Sequence, residues 1–247
     1  MIDNYIQLHC HSDGSNIITP DVPTTCASLV ARAKELGQTA IALTDHGSNV
    51  KKYDFAIACK KHNIKPIFGI EAYYVKDINA TITKQTTKGE QTTPDDTNAH
   101  LIILAKNHNG YKQINLLMSD SWEFGFYRKP RIDDAMIAKH LNPNDIIITT
   151  ACIGGVLAKY PTEQILTSFS RFISAGSFYL EIHAHDNDKQ KQYNKKILSI
   201  ANTHSIPIVY ANDTHVIHDT DTNLRDAFLK TKGIVYEEEL DGKWFVD

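Results

Sequence analysis

The chain has 247 residues, 42% of them hydrophobic, and a formal net charge of −3. That is enough apolar material for one large α/β barrel or two small domains, and the charge excludes a protein-wide basic field, so any contact with nucleic acid has to be local. Twelve histidines stand well above ordinary usage, and Cys10, Cys26, Cys59 and Cys152 show no CxxC spacing. With no signal peptide and no run of eighteen apolar residues, a cytoplasmic, reducing setting and no membrane partner are expected.

Short apolar, β-branched runs alternate with longer amphipathic stretches along the chain. The first run, "YIQLH" (5–9), ends in a His-x-His; on a strand His9 and His11 project from one face, with Cys10 turned away. Taken alone such a pair is usually a surface feature, because a metal site needs three or four ligands. Then come a helix-like stretch at 24–36, a strand at "TAIALT" (39–44), a helix at 50–63 and a strand at "KPIFGIEAYYV" (65–75). Residues 76–99 are polar and Thr-rich, and read as a mobile insertion that could cover a site mouth or be inert. "HLIILA" (100–105) is the fourth strand, followed by a helix at 108–122 and the basic, aromatic block "GFYRKPRID" (125–133). Beyond it lie a strand at 145–151, a helix at 162–175 opening at Thr162 and Glu163 after Pro161, a strand at 177–183, a helix at 187–204 capped by Asn187, and a strand at 206–212. Seven strands, each followed by a helix or connection, argue for parallel βα units, and so for an open doubly wound sheet or a closed barrel. No internal boundary is visible, so 1–247 reads as a single domain, with an acidic then apolar tail over 233–247.

The ligand-type residues fall at recurring places on this map. His9 and His11 close the first strand, Asp45 and His46 the second, Glu71 lies late in the third, Cys152 closes the fifth, Glu181 and His183 the sixth, and Asp213 and His215 the seventh. His100 is the exception, because it opens its strand. In a parallel barrel the carboxyl ends form the rim where reactive groups collect. Individually, Asp45-His46 suits a turn, Glu71 an edge ion pair and Cys152 a small buried hydrophobe. Together they point to a polynuclear metal site with N, O and S ligands. In the basic block, Tyr127, Arg128, Lys129 and Arg131 could bind phosphates and stack on bases, or simply form a packed loop.

The set "LHCHSD", "LTDHG", "FGIEAYYV", "HLIILAKN", "TTACIGG", "YLEI" and "YANDTH", with "GFYRKPRID" among them, resembles the PHP (polymerase and histidinol phosphatase) domain, in the form found at the amino end of the bacterial DNA polymerase III alpha subunit. The resemblance covers essentially the whole chain. It implies a distorted seven-stranded (β/α)7 TIM-like barrel holding up to three divalent ions, zinc, manganese or iron. Carried over residue by residue, His9, His11 and Asp213 would hold the first ion with Glu71 bridging to a second, His100 and Cys152 would complete the second, and His46, His215 and an acid from the first loop would hold the third. Asp21 is the preferred acid and Asp13 its competitor. His9, His11, Glu71 and Asp213 form the expected catalytic core. Asp45, as an acceptor orienting His46, and Glu181 are expected to support ligands, while Arg128, Lys129, Arg131 and His183 are expected to meet substrate. A thiolate at Cys152 favours zinc, which could make the second ion structural.

Clustered divalent ions bring the pKa of bound water toward about 7, so phosphate-ester hydrolysis is the natural reaction. No GxSxG, Walker or Rossmann fingerprint argues for another chemistry. The resemblance implies a metal-dependent phosphoesterase, foremost a 3′→5′ exonuclease on single-stranded DNA. The alternatives are a non-catalytic, metal-stabilised scaffold module of a replicative polymerase, with polymerase domains or replication proteins as partners, and a small-molecule phosphatase of the histidinol-phosphatase type. Polymerase activity is not expected of these residues, since it needs a palm domain with its own carboxylates; in polymerases the 233–247 tail would lead to a following domain.

Overall fold

The computed structural model describes residues 5–87 and 89–231. In chain order the first regular elements are helix α1 (Cys26–Glu35), strand β1 (Ala40–Leu43), helix α2 (Lys52–His62) and strand β2 (Lys65–Tyr74). A hairpin of β3 (Thr81–Thr86) and β4 (Gly89–Pro94) precedes β5 (Ala99–Ala105) and α3 (His108–Glu123), and a second hairpin, β6 (Phe126–Tyr127) with β7 (Lys129–Ile132), leads to α4 (Asp134–His140). Then come β8 (Ile146–Thr149), helices α5 (Val156–Lys159), α6 (Thr162–Ser168) and α7 (Ser170–Ser174), β9 (Phe178–Ile182), α8 (Asp188–His204), β10 (Ile208–Tyr210) and α9 (Thr222–Thr231). No helix among the described residues is long and apolar enough to cross a membrane.

Capping chemistry sets several helix starts. Thr25 accepts from the Ser28 N–H ahead of α1, Asn107 from Gly110 N–H ahead of α3, and Asn187 from Gln190 N–H ahead of α8. The helix expected over 162–175 is two helices, broken at Phe169, whose buried ring stacks on Phe178 with centroids 5.4 Å apart.

The main sheet runs β10-β9-β8-β5-β2-β7-β6, with β1 on the same margin of β2 as β7. All-parallel pairing, expected from the sequence, fails at two strands: β5 runs antiparallel to both β2 and β8, and the short β6 runs antiparallel to β7. A parallel return would need a crossover, usually helical; here the link from β2 to β5 carries the β3–β4 hairpin, and the chain simply doubles back. The beginning of β5 therefore meets the ends of its neighbours, with Tyr73 paired to His100. Residues 76–99, expected as a mobile insertion, contain that hairpin, while the 233–247 tail lies outside the described residues.

The run at 5–9 is extended chain without a ladder strand. On one side Ala42 N–H donates to Gln7 C=O at 2.9 Å and Thr44 N–H to Cys10 C=O at 2.8 Å; on the other, Thr214 N–H donates to His9 C=O at 2.9 Å. The architecture is thus an α/β fold with a curled sheet. The expected distorted seven-stranded barrel is met only in part, because this segment spans the gap between β1 and the chain after β10 by a few bridging bonds.

Among the described residues, two of the three buried apolar clusters hold the helices against the sheet. Ile70, Ala72, Tyr74, Leu101, Ile103, Ile148 and Leu180 pack with residues of α3 to α8, and Ile41 and Leu43 pack with Leu29, Val30 and Phe55 of α1 and α2. Because strand residues alternate, burying Ile70, Ala72 and Tyr74 under the helices turns Glu71 and Tyr73 to the opposite, concave face. The same alternation on β5 puts His100 with Ile102 and Leu104 on that face.

Candidate metal centre

Glu71 is the hub of this concave face and is fully buried. Its Oε1 lies 3.4 Å from His9 Nε2 and 2.7 Å from His100 Nδ1, and its Oε2 lies 3.3 Å from His11 Nε2 and 2.5 Å from His46 Nδ1. Asp213 Oδ1 sits 3.1 Å from the Nε2 atoms of both His9 and His11. Cys152 Sγ is 3.5 Å from His100 Nδ1. His215 Nε2 and His46 Nε2 lie 3.3 Å and 4.0 Å from Asp21 Oδ2. Asp13, by contrast, lies near the surface with a carboxylate oxygen 3.2 Å from the Lys51 ammonium.

These atoms fall into sets small enough to share an ion: His9, His11, Glu71 and Asp213; Glu71, His100 and Cys152; and His11, His46 and His215, each with ligand atoms within 4.8 Å of one another. A further set joins His9, Glu181 and His183. Two of these groups bring together residues expected to share an ion; in the third His11 joins His46 and His215, and Asp21 lies beside both of the latter. His100, out of place in a parallel map, arrives because β5 is reversed.

Burial and mutual charge dominate the electrostatics. Burial alone would raise Glu71, but His100, His46 and His9 outweigh it and hold the carboxyl well below its ordinary range. Asp213 is likewise held low against its burial, by His9 and His215. His9 is raised well above an ordinary imidazole, because Asp213, Glu181 and Glu71 overcome the effect of burial, whereas burial together with His46 and His215 pushes His11 down to about 3. Both Glu71 oxygens, His9 Nε2, His46 Nδ1 and Asp21 Oδ1 are buried without a hydrogen bond. Converging lone pairs on buried N and O atoms without hydrogen bonds, with the Cys152 sulfur beside them, fit divalent cations.

Supporting groups orient these side chains. Glu181 Oε1 lies 2.7 Å from His9 Nδ1 and 2.8 Å from His183 Nε2, and Glu181 also accepts from the Thr149 hydroxyl. Asp45 does not orient the His46 ring as expected. It accepts from Ser12 N–H at 2.6 Å and from the Ser15 hydroxyl at 3.1 Å, and Ser15 Oγ in turn lies 3.1 Å from His11 Nδ1, so its influence runs to His11. Asp213 and Ala151, the residue before Cys152, hold left-handed backbone at φ 50° and 57°, conformations that cost of order 1–3 kcal/mol and collect at functional sites.

A cavity of about 290 Å³ opens over the centre, lined by Asp21, His46, His100, Cys152, Asp213 and His215 and walled by Tyr73, Lys129, Lys159 and Arg225. Lys129 is the member of the basic block that reaches it. Arg131 is instead buried, donating to the carbonyls of Gly125, Asp95 and Ile78, which clamps the foot of the β3–β4 hairpin. Arg128 points outward and pairs with Asp96 at 3.3 Å, while His183 is buried against Glu181 and does not line the cavity. Tyr73, Lys159 and Arg225 were not foreseen. Tyr73 lies two residues after Glu71, hence on the same face, a signal present in the strand period; Arg225, 3.5 Å from Asp21, sits on α9, outside every motif.

The PHP domain family model matches residues 7–185. The chain belongs to the PHP domain family. Among relatives of this PHP domain, the DNA polymerase III subunit alpha of Borreliella burgdorferi is 34% identical over 233 residues, 91% of this chain and 19% of the relative. That of Aquifex aeolicus is 31% identical over 228 residues, 90% of this chain and 19% of the relative. The chain thus spans about a fifth of the length of these relatives. A solved structure from Bifidobacterium adolescentis, described as a metal-dependent phosphoesterase, shares this fold with a TM-score of 0.53 at 14% identity, over 85% of this chain and 87% of that one.

Proposed function

We propose that this PHP domain is a metal-dependent phosphoesterase acting as a 3′→5′ exonuclease on single-stranded DNA. The observation that carries the hydrolase is Glu71, one buried carboxylate facing His9, His11, His46 and His100 at 2.5–3.4 Å. Glu71 would be shared between a first site with His9, His11 and Asp213 and a second with His100 and Cys152. Asp21 with His46 and His215 would hold a third ion. When bound, divalent ions supply Lewis acidity toward phosphate oxygens and activation of the attacking water.

The chain's own groups do the rest. Lys129 and Arg225 on the cavity wall balance phosphate charge and orient the ester over the centre. Glu181 holds His9 in one ring orientation, and Ser15, backed by Asp45, does the same for His11. Left-handed backbone at Ala151 and Asp213 aims Cys152 and the Asp213 carboxylate inward. The choice of DNA and of polarity rests on the likeness to polymerase-linked PHP domains.

The test is the full chain loaded with Mn²⁺ or Zn²⁺ and given 5′-labelled single-stranded DNA. Products shortened from the 3′ end are expected, with His9→Ala and Glu71→Ala each losing ~100-fold or more. Metal uptake with no turnover of DNA or of small phosphoesters would mark a scaffold instead. Preference for phosphate monoesters over DNA would mark a small-molecule phosphatase.

A further inference from the structure

Beside the cavity mouth the surface becomes aromatic. Trp122, near the end of α3, and Phe126, on β6, are 41% and 51% exposed, and their rings stack with centroids 5.4 Å apart at 20°. Phe124 between them is 60% exposed. Aromatic surface of this kind is ordinarily buried, so an exposed cluster calls for an occupant.

The cluster is built in place. Trp122 Nε1 donates to Gly47 C=O at 2.9 Å. A Cβ on Gly125 would stand 2.0 Å from Arg131 C=O, so glycine is what lets the β6–β7 hairpin close against α3. Arg131 then ties the turn by donating to Gly125 C=O at 2.8 Å.

From this ledge the path into the metal centre is continuous. Gly47 follows His46, its N–H donates to Glu71 C=O at 2.9 Å, and its backbone packs so closely on Pro130 that a Cβ there would lie 2.7 Å from Pro130 Cγ. Tyr73 stacks on His46 with centroids 6.0 Å apart, and the Lys129 ammonium lies 4.1 Å from the Tyr73 ring centroid. The Lys129 side chain has no hydrogen bond or ion pair among the described residues, although it is half-buried on the wall of the cavity. Glu71 and Asp21 act on its charge across the cavity without contacting it. At the hairpin tip Arg128 is 68% exposed, lies 5.3 Å from the Tyr127 ring centroid, and among the described residues pairs with Asp96 alone, an exposed pair that another anion can displace at little cost.

We infer that Trp122, Phe126, Arg128 and Lys129 form a binding ledge for single-stranded nucleic acid leading to the metal centre. Flat ring faces suit unstacked bases of any sequence, and the interleaved cations suit the backbone between them. Charge decides for this occupant over an apolar protein segment: the cations next to the rings, Arg128 and Lys129, match phosphates. Bases stack on Trp122 and Phe126, Arg128 meets a backbone phosphate, and Lys129 receives the phosphate nearest the centre. Delivery of that phosphate for cleavage rests on the phosphoesterase proposal; binding to the ledge does not.

The test uses the metal-loaded full chain carrying Trp244→Phe, so that Trp122 is the sole tryptophan, and a phosphorothioate (dT)10 that resists hydrolysis. Quenching of Trp122 emission on titration is expected. In anisotropy titrations of a fluorescein-labelled oligonucleotide, Trp122→Ala and Phe126→Ala should each raise Kd roughly five- to hundredfold. Trp122→Phe, which keeps a ring but loses the bond to Gly47, should raise it far less, and Tyr53→Ala, an exposed aromatic on α2, not at all. Arg128→Ala should lower the slope of log K against log salt by about one. Unchanged Trp122 emission, or an equal Kd for the alanine variants and the parent, overturns the ledge even if small phosphodiesters are hydrolysed. Quenching by the phosphorothioate strand, with no hydrolysis of ordinary single-stranded DNA or of small phosphodiesters, upholds the ledge and rejects the phosphoesterase.

Discussion

Two aspartates in the opening loop illustrate what decides a ligand at the scale of single residues. Asp13 is nearer in sequence to His11, yet it faces Lys51, while Asp21 reaches His46 and His215. Asp21→Ala should therefore lower bound metal by one equivalent per chain in elemental analysis, and Asp13→Ala should leave it unchanged. Glu181 offers a second check, in the metal-free chain. Burial would raise its pKa, but His9 and His183 bring it from 4.5 to about 2. With the folded pKa below the unfolded one, its stabilisation is fully present above about pH 4.5 and is lost as pH falls toward about 2. Urea unfolding at stepped pH should show Glu181→Gln with a flatter profile across that window, and with less stability at pH 6 by on the order of 3 kcal/mol. Identical slopes for the two chains would remove Glu181 from this role. Much at this scale is legible in sequence, because strand alternation tells which residues share a face. What the sequence withholds is which partner a long side chain finds: Arg131 and Lys129 look alike in "YRKPRI", yet one binds three carbonyls and the other faces the cavity.

Among the elements, the least legible property is direction. "HLIILA" is buried on both faces, and such continuous apolar runs ordinarily signal parallel strands. Nothing in the run encodes that β5 points the other way; that is set by the hairpin linking it to β2. Helix starts, fixed by local caps at Thr25, Asn107 and Asn187, are far easier to read. The β3–β4 hairpin was obscured by its polar, exposed composition; its attachment depends on Arg131 holding both Ile78 C=O and Asp95 C=O. Arg131→Met should leave those buried carbonyls without a donor and destabilise the chain by about 2–4 kcal/mol in chemical denaturation. Limited proteolysis should then cut first within 76–98.

Across the whole molecule, the centre ties together distant parts of the chain: His9 and His11 near the start, Glu71 and His100 in the middle, Asp213 and His215 toward the end. Ions bound there act as cross-links of the folded state alone. At a free metal concentration a hundredfold above Kd, each independent site adds about 2.7 kcal/mol. Removing metal by chelation should accordingly lower Tm by roughly 5–10 °C per site, read by calorimetry; an unchanged Tm would mean that the apo fold gains nothing from metal. The reversal of β5 has one more consequence. Because β2 ends where β5 begins, a two-residue turn would suffice to join them, so residues 76–98 are surplus to the connectivity of the sheet. They form a socket at the edge of the metal rim, where sequence can be shortened, lengthened or exchanged while each ligand stays on its own segment of chain. New specificity can be grafted there without rebuilding the centre it would serve.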